Sequence, residues 1–215
     1  MVVILLGPPG VGKGTQAVIL AEGLGWAHVS TGDLLRAARR EGTDLGRQAQ
    51  AFMDRGELVP DELILAMVEE HLAGLPSEQG VLLDGFPRTG PQAEALDGIL
   101  PGLGRQVDAV VLFTAPDEVL VKRISGRRSC PECGAVYNVH YNPPKRPGRC
   151  DRCPEAELAH RADDQEETVV RRLEVYRDLT EPLIRYYQES GARLVSVDAD
   201  RDVEGIQADV RSELS

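Results

Sequence analysis

The sequence predicts an α/β protein built on a doubly wound parallel sheet with helices on both faces. Short apolar runs recur along the chain and helical patterns separate them, as in successive βαβ units. The runs are largely β-branched or Leu-rich, which is typical of strands covered on both faces. Strands are expected at residues 2–6, 81–84, 107–113 and 193–197. Helices are expected at residues 13–24, 31–40, 45–55, 61–72, 91–100, 117–124, 166–189 and 203–214.

Two regions interrupt this alternation. Residues 30–59 are mostly helical in pattern and contain no strand that returns to the sheet. Residues 127–164 are rich in Pro, Gly, Cys and charge, and only short pieces such as 135–139 are strand-like. A structureless loop of that length is uncommon in a compact domain, so we expect a small subdomain with its own stabilising element.

Composition narrows the classes of function. The 215 residues carry a formal net charge of −11, which argues against broad, non-specific binding to nucleic acid or to an anionic membrane. No apolar run approaches the ~20 residues of a membrane span. No secretory signal is visible at the start, so we expect a cytoplasmic protein, in which paired cysteines bind metal more often than they form disulfides.

The first predicted strand runs into a glycine-rich turn, GPPGVGKGTQ, and then into a helix. The turn contains Gly7, Gly10, Gly12 and Gly14. Glycines let backbone N–H groups converge on phosphate oxygens at a helix N-terminus, and Lys13 would reach the β- and γ-phosphates of a nucleotide. The strict pattern has Ser or Thr directly after the lysine. Gly14 stands there instead, so we expect Thr15 to contact phosphate rather than Mg²⁺.

Two Cys-x-x-Cys pairs lie in the second irregular region. They are Cys130/Cys133 and Cys150/Cys153, separated by sixteen residues. This spacing is typical of a four-thiolate structural Zn²⁺ site, with four free thiols as the alternative. His140 and His160 could compete as ligands, but four cysteines already complete a tetrahedral shell.

Three further patterns point to anion binding. STGDLLR is a capped helix start that contains Arg36, although that segment alone fits a surface helix with a solvated arginine better. DGFPRT places Asp84 at the carboxyl end of a buried strand, where a carboxylate suits the Mg²⁺ shell or caps a turn. Arginines that flank a small mobile domain match the charge of phosphoryl transfer. They are Arg123, Arg127, Arg128, Arg161 and Arg172.

Five motifs in order along nearly the whole chain resemble the adenylate kinase family. They are GPPGVGKGTQ, STGDLLR, ELVPDE, LLDGFPRT and HRADDQEETVVRRL. With its four cysteines, the chain is similar to the long-lid, zinc-containing bacterial form. The resemblance implies a P-loop nucleoside monophosphate kinase fold and a transferase that moves the terminal phosphoryl group of Mg·ATP to AMP, giving two ADP. It also implies a core of residues 1–29, 60–126 and 165–215, an AMP-binding domain of residues 30–59 and a zinc-binding lid of residues 127–164.

The resemblance also assigns residues to each substrate. ATP would contact Gly10, Val11, Gly12, Lys13, Gly14, Thr15, Arg123, Arg127, Val136, Tyr137 and Arg201. AMP would contact Thr31, Arg36, Glu57, Leu58, Val59, Gly85, Phe86, Pro87, Arg88, Gln92, Arg161 and Arg172. The catalytic groups would be Lys13, Asp84, Arg88, Arg127, Arg161 and Arg172, and the metal ligands Cys130, Cys133, Cys150 and Cys153. Asp163 and Asp164 would pair with these arginines or bound the hinge of the lid.

Two alternatives remain at this level. The nearest is a GTP-using AMP kinase or another nucleoside monophosphate kinase, because base choice depends on few contacts. The other is a zinc-ribbon nucleic-acid-binding protein with a nucleotide switch, against which the net charge of −11 weighs. We expect small-molecule partners only, namely ATP, AMP and ADP, and a monomer.

Overall fold

Five parallel strands form the central sheet of the computed structural model, which describes residues 1–214. Numbered in chain order, the strands are β1 (Val2–Leu6), β2 (Ala27–Ser30), β3 (Val81–Asp84), β4 (Val107–Thr114), β5 (Arg127–Ser129), β6 (Val136–Asn138) and β7 (Arg193–Asp198). The order in the sheet is β2-β3-β1-β4-β7, with every pairing parallel, whereas β5 and β6 form a separate antiparallel pair. All five residues of β1 are buried, as a strand at the centre of a two-faced sheet requires.

Helices cover both faces of the sheet. They are α1 (Lys13–Leu24), α2 (Thr31–Glu41), α3 (Asp44–Asp54), α4 (Asp61–Ala73), α5 (Gly90–Gly102), α6 (Asp117–Ser125), α7 (Glu166–Val175), α8 (Leu183–Ser190) and α9 (Val203–Leu214). Alternate residues of β1 contribute to two hydrophobic cores, one on each face. The predicted doubly wound architecture is therefore confirmed. Within the described chain, none of the helices combines the length and the apolar character that a membrane span would need.

Two predictions about individual elements were wrong. Strand β2 was missed, because only four residues form it and two of them, His28 and Ser30, are polar. A single helix over residues 166–189 was expected, but the chain forms α7, a π-helical turn at Tyr176–Thr180 and then α8. Pro182, which has no backbone N–H to donate, lies directly before α8 and prevents a continuous α-helical ladder.

The helical character of residues 30–59 is confirmed, and side-chain caps define its two helices. The Ser30 hydroxyl accepts a hydrogen bond from the N–H of Asp33 at 3.4 Å and starts α2. The Thr43 hydroxyl accepts one from the N–H of Gly46 at 3.1 Å and starts α3. No strand lies between them in the described chain, so this helical pair forms a unit at the edge of the sheet.

Residues 127–164 form a small unit with its own core. Strands β5 and β6 pair, and isolated bridges join Ser129 to Ala159 and Arg149 to Glu157. The core consists of Cys130, Tyr137, Cys150 and Ala156, all less than a tenth exposed. Since this core shares no residue with the two cores of the sheet, the unit is stabilised by its own contacts.

Candidate functional site

The loop between β1 and α1 has a backbone that only glycine tolerates. Gly7 and Gly10 have φ angles of 143° and 84°. A Cβ atom on Gly7 would lie 2.5 Å from the carbonyl oxygen of Phe113, and one on Gly10 would lie 2.5 Å from Ile124 Cγ1. The loop is therefore held tightly against β4 and α6, with the N-terminus of α1 behind it. Helix N-termini of this kind bind phosphate through their free N–H groups.

Lys13, the first residue of α1, folds back over this loop. Its Nζ donates hydrogen bonds to the carbonyl oxygens of Gly7, at 2.6 Å, and Pro8, at 3.0 Å. The pKa of Lys13 is lowered to about 7, chiefly by burial; Asp84 opposes this shift, while Arg88 and other nearby arginines contribute to it. An anionic group at the loop would favour the charged ammonium, so the lysine is prepared to gain a proton when phosphate binds.

Asp84 ends β3 beside the loop, as the sequence predicted. A Cβ atom on Gly14 would lie 3.3 Å from Asp84 Oδ2, so the glycine that replaces the usual Ser or Thr leaves room for this carboxylate next to the helix N-terminus. His28 Nε2 lies 3.3 Å from the same oxygen. Thr15 is exposed. A half-buried carboxylate at the phosphate loop has the chemistry to hold a water of hydrated Mg²⁺.

The residues expected at AMP meet around Gly85. Thr31 Oγ1 donates to the Gly85 carbonyl at 2.8 Å, and Arg88 Nε donates to the same oxygen at 2.7 Å. Gly85 has a φ angle of 74°, and a Cβ atom there would lie 2.7 Å from Arg88 NH2. Arg36 forms an ion pair with Asp33, with a 2.6 Å hydrogen bond. Two arginines and a threonine hydroxyl thus face one small region at the end of β3.

The other residues expected to contact AMP are either paired with protein groups or buried to different degrees. The amide of Gln92 donates to Asp61 Oδ1 at 2.6 Å and accepts from the N–H of Arg88 at 2.8 Å, so both ends of this buried side chain already have partners. Glu57 pairs with Arg55 at 2.7 Å, and that hydrogen bond holds the pKa of Glu57 below its usual range. In the same group, Val59, Phe86 and Pro87 are buried and Leu58 is partly buried.

Arginines at both ends of residues 127–164 and on α7 make polar contacts near residues 161–164. Arg127 makes a two-pronged contact with Asp164, with a 2.8 Å bond from Nε, and Asp164 is fully buried. Arg172 donates to Asp163 Oδ2 at 2.8 Å and to Asp164 Oδ1 at 3.4 Å. Arg161 Nε donates to the Ser129 hydroxyl at 2.8 Å. Two-pronged contacts of this type fix the orientation of a guanidinium group.

These cations lie close enough to repel one another. Burial lowers the pKa of Arg161 to about 9, and the nearby Arg127 and Arg36 contribute in the same direction. Burial also lowers the pKa of Arg172 to about 10, with Arg127 and Arg88 contributing. Charged groups from the loop, from β3, from α2 and from both ends of the lid therefore lie close enough to influence one another electrostatically. A polyphosphate placed among them would relieve this repulsion.

The residues expected at the ATP base and ribose are less concentrated. Arg123 donates to the Val11 carbonyl at 3.3 Å and lies 4.0 Å from Asp200. Arg201, the next residue, is exposed, and its guanidinium pairs with Asp209 at 2.5 Å on α9. Val136 is 44% exposed, whereas the Tyr137 side chain is buried among the cysteines. Arg128 donates to the backbone carbonyls of Ser125, at the end of α6, and of Arg127 on β5.

The four cysteines converge as their spacing predicted. All four Sγ atoms lie within 4.8 Å of one another, and Cys133 and Cys150 are 3.6 Å apart. Four thiolates around Zn²⁺, at the usual Zn–S distance, are separated by about 3.8 Å. Cys150 is buried, which raises a thiol pKa, but hydrogen bonds from Tyr137 and from backbone N–H groups lower the pKa of Cys150 to about 6. The set fits a tetrahedral metal with four sulfur ligands.

Two residues of the site were missed by sequence reasoning. They are His28 and Asp33, neither of which was among the candidates named from the sequence. His28 lies beside Asp84 because β2 pairs with β3, a pairing that an unrecognised strand could not reveal. Arg36 and, less strongly, Arg161 lower the pKa of the Asp33 carboxyl against the effect of burial. Strand pairing at the carboxyl edge of the sheet was the signal that would have found His28.

Comparison with known proteins gives one consistent result. The family model described as adenylate kinase matches residues 5–192. The chain is 50% identical over 212 residues to the adenylate kinase of Archaeoglobus fulgidus, covering 99% of this chain and 97% of that one. It is 51% identical to the adenylate kinases of Anaeromyxobacter dehalogenans and Gloeobacter violaceus, each over 97% of this chain and 96% of the relative.

Proposed function

The chain belongs to the adenylate kinase family, and from that premise we propose how its residues divide the reaction between donor and acceptor. The enzyme is a phosphotransferase that moves the terminal phosphoryl group of ATP to AMP and gives two ADP. One observation supports these roles more than any other. Lys13 lies near Arg88, Arg127 and Arg172, beside the N-terminus of α1. Phosphoryl transfer needs such a set of cations around its transferring group.

The proposed domains follow the three units of the fold. Residues 1–29, 60–126 and 165–215 form the core with the phosphate loop. Residues 30–59 form the AMP-binding domain, and residues 127–164 form the lid over ATP. The first two are in direct contact: a Cβ atom on Gly56 would lie 2.9 Å from Arg172 Cγ and 3.0 Å from Thr168 Cγ2. The AMP-binding domain therefore packs directly on the helix that follows the lid.

On the donor side, the loop N–H groups and Lys13 would hold the β- and γ-phosphates of ATP, and Arg127 would join them from the lid. Arg123 would lie against the adenine ring, since it is placed between the loop and the turn after β7. Val136, Tyr137 and Arg201 would contribute through their main chain, because the last two side chains are committed to Cys150 and to Asp209.

On the acceptor side, we propose that Arg36 and Arg88 bind the AMP phosphate and that Thr31 and residues 57–59 line its base and ribose. Arg161 and Arg172 would bridge this phosphate and the transferring group. Gln92 would have to exchange its bond with Asp61 before it reads the adenine edge. That exchange is a proposed part of AMP binding.

In this proposal, chemistry depends on position and charge rather than on a base. The acceptor phosphate of AMP is already ionised at neutral pH, so no side chain has to remove a proton. The arginines match the negative charge on the equatorial oxygens, and Lys13 bridges the donor phosphates. Closure of the lid and of residues 30–59 would exclude water, which could otherwise accept the phosphoryl group.

Two metal ions complete the proposal. Mg²⁺ would arrive with ATP as part of the substrate, and Asp84 would hold its water shell. Zn²⁺ would be structural, bound by the four cysteines with no position left for substrate or water. We also propose a cytoplasmic monomer, since a reducing compartment keeps four thiols available to metal.

A matrix of donors and acceptors tests this function. Purified enzyme is given ATP, GTP, CTP or UTP with each of AMP, GMP, CMP and UMP, and the diphosphates formed are separated and quantified. ATP with AMP should give the largest kcat/KM by at least tenfold. A preference for GTP with AMP would instead assign the chain's donor site to guanine, and a preferred acceptor other than AMP would contradict the roles given to Thr31 and residues 57–59.

A further inference from the structure

One buried hydroxyl in the lid has two partners that together define what it does. The Tyr137 ring lies in the small cysteine core and is 8% exposed. Its hydroxyl oxygen accepts a hydrogen bond from the N–H of Asp151 at 2.9 Å and lies 3.5 Å from Cys150 Sγ. Because the oxygen already accepts a bond from the backbone, its own proton is free to point at the sulfur.

We propose that Tyr137 is an outer-shell residue of the lid metal site, whose O–H donates a hydrogen bond to the Cys150 thiolate. The inference rests on the zinc site proposed above. A cysteine bound to Zn²⁺ is a thiolate and has no proton to donate, so the phenol must be the donor. The Tyr137 side chain therefore supports the metal site, although the resemblance to the family assigned this residue to ATP.

The electrostatics of the site explain why such a donor is useful. Four thiolates and one Zn²⁺ leave two negative charges in a core where Cys130 and Cys150 are almost fully buried. The N–H of Cys153 already donates to Cys150 Sγ at 3.4 Å. The phenol adds a side-chain donor to the same sulfur and spreads its charge. Groups in this outer position typically change metal affinity 10–100-fold when they are removed.

The position of Tyr137 also connects the metal to the nucleotide side of the lid. It lies on β6, opposite Arg128 in the register of β5, and β5 begins with Arg127. A hydroxyl that fixes β6 to Cys150 therefore fixes the strand pair that presents Arg127 to Asp164.

The test compares Tyr137→Phe with Tyr141→Phe. Tyr141 is a matched control, since it is a lid tyrosine that is 50% exposed and faces Lys122 and Arg123 rather than the cysteines. Zinc affinity is measured by competition with a chromophoric chelator on the full-length protein. Tyr137→Phe should weaken zinc binding about tenfold or more, while Tyr141→Phe should leave it within twofold of the starting protein.

A spectroscopic signature separates a hydrogen bond to sulfur from a general loss of packing. With Co²⁺ in place of Zn²⁺, the sulfur-to-metal charge-transfer band should move to lower energy in Tyr137→Phe, because the sulfur loses a donor. A 3-fluorotyrosine at position 137, which keeps the ring and has a more acidic phenol, should move the band the other way.

Unchanged zinc affinity together with an unchanged cobalt band in Tyr137→Phe would overturn the inference while leaving the zinc site intact. Equal losses in the two phenylalanine variants would also overturn it. If the starting protein binds no stoichiometric zinc, the zinc proposal itself fails and the inference falls with it. A shift of the band in the predicted opposite directions, with a selective loss of affinity, supports it.

Discussion

The protonation of Lys13 gives the sharpest test of the phosphate loop. Its pKa is lowered to about 7, chiefly by burial, in the nucleotide-free protein. A nucleotide phosphate binds the ammonium form, so binding has to supply a proton whenever the lysine starts neutral. At pH 7 about half of the molecules carry the charge, and at pH 8 about one in eleven does. The affinity for Mg·ATP should therefore fall about fivefold between pH 7 and pH 8, with uptake of up to about 0.9 proton at pH 8.

The assay is calorimetric titration with a non-hydrolysable Mg·ATP analogue, in two buffers of different ionisation enthalpy at each pH. The change in binding enthalpy between buffers counts the protons taken up. Lys13→Met should remove both the proton uptake and the fivefold dependence, and should lower turnover by about 10²-fold or more. Lys145→Met, at an exposed lysine of the lid, is the control and should keep both. Affinity equal at pH 7 and 8, with no proton uptake in the starting protein, would refute the low pKa of Lys13.

Three further predictions concern the arginines, the cysteines and the buried carboxylate. Arg88→Ala should raise the KM for AMP far more than the Kd for ATP, and Arg123→Ala should do the opposite; equal losses for both nucleotides would show that the two sites are not separate. Metal analysis of the starting protein should find roughly one zinc per chain, and changing Cys130 and Cys150 to Ser should abolish it and lower the melting temperature of the lid. Some activity should survive in the cold, and complete loss of chemistry with a folded, closing lid would contradict a structural role. Asp164→Asn should lower the free energy of unfolding by about 3 kcal/mol in denaturant titrations, because Asp164 is fully buried against two arginines; a change under about 0.5 kcal/mol would contradict this.

Patterns local in sequence predicted the parts of the site that lie within one element. The first strand, the glycine turn in GPPGVGK and the start of α1 at Lys13 are all where the pattern placed them. The two Cys-x-x-Cys pairs likewise predicted a cluster, because their chemistry leaves few alternatives at that spacing.

These local patterns could not predict contacts between distant segments. Gln92 was expected at a ligand, but its amide meets Asp61, 31 residues away, across the interface of two helices. Tyr137 was expected at ATP, yet its ring turns into the cysteine core. Alternation along a strand tells which residues share a face but not which face meets the ligand, so sequence placed β6 without orienting its side chains.

The sequence contains a visible signal for the break after α7. Helical periodicity continues through residues 166–189, and Pro182 was the one residue against a continuous helix. The chain resolves the conflict with a π-helical turn before the proline. Periodicity reports the buried face of a helix and is insensitive to one extra residue in a turn.

Following the fate of the γ-phosphate tests the central claim most directly. The enzyme is incubated with AMP and with ATP labelled on its γ-phosphate, and the products are separated. The label should appear in the β-phosphate of ADP, with two ADP formed for each AMP consumed and almost none in inorganic phosphate. Label released mainly as inorganic phosphate, or ATP consumed at the same rate without AMP, would contradict direct transfer between two nucleotides.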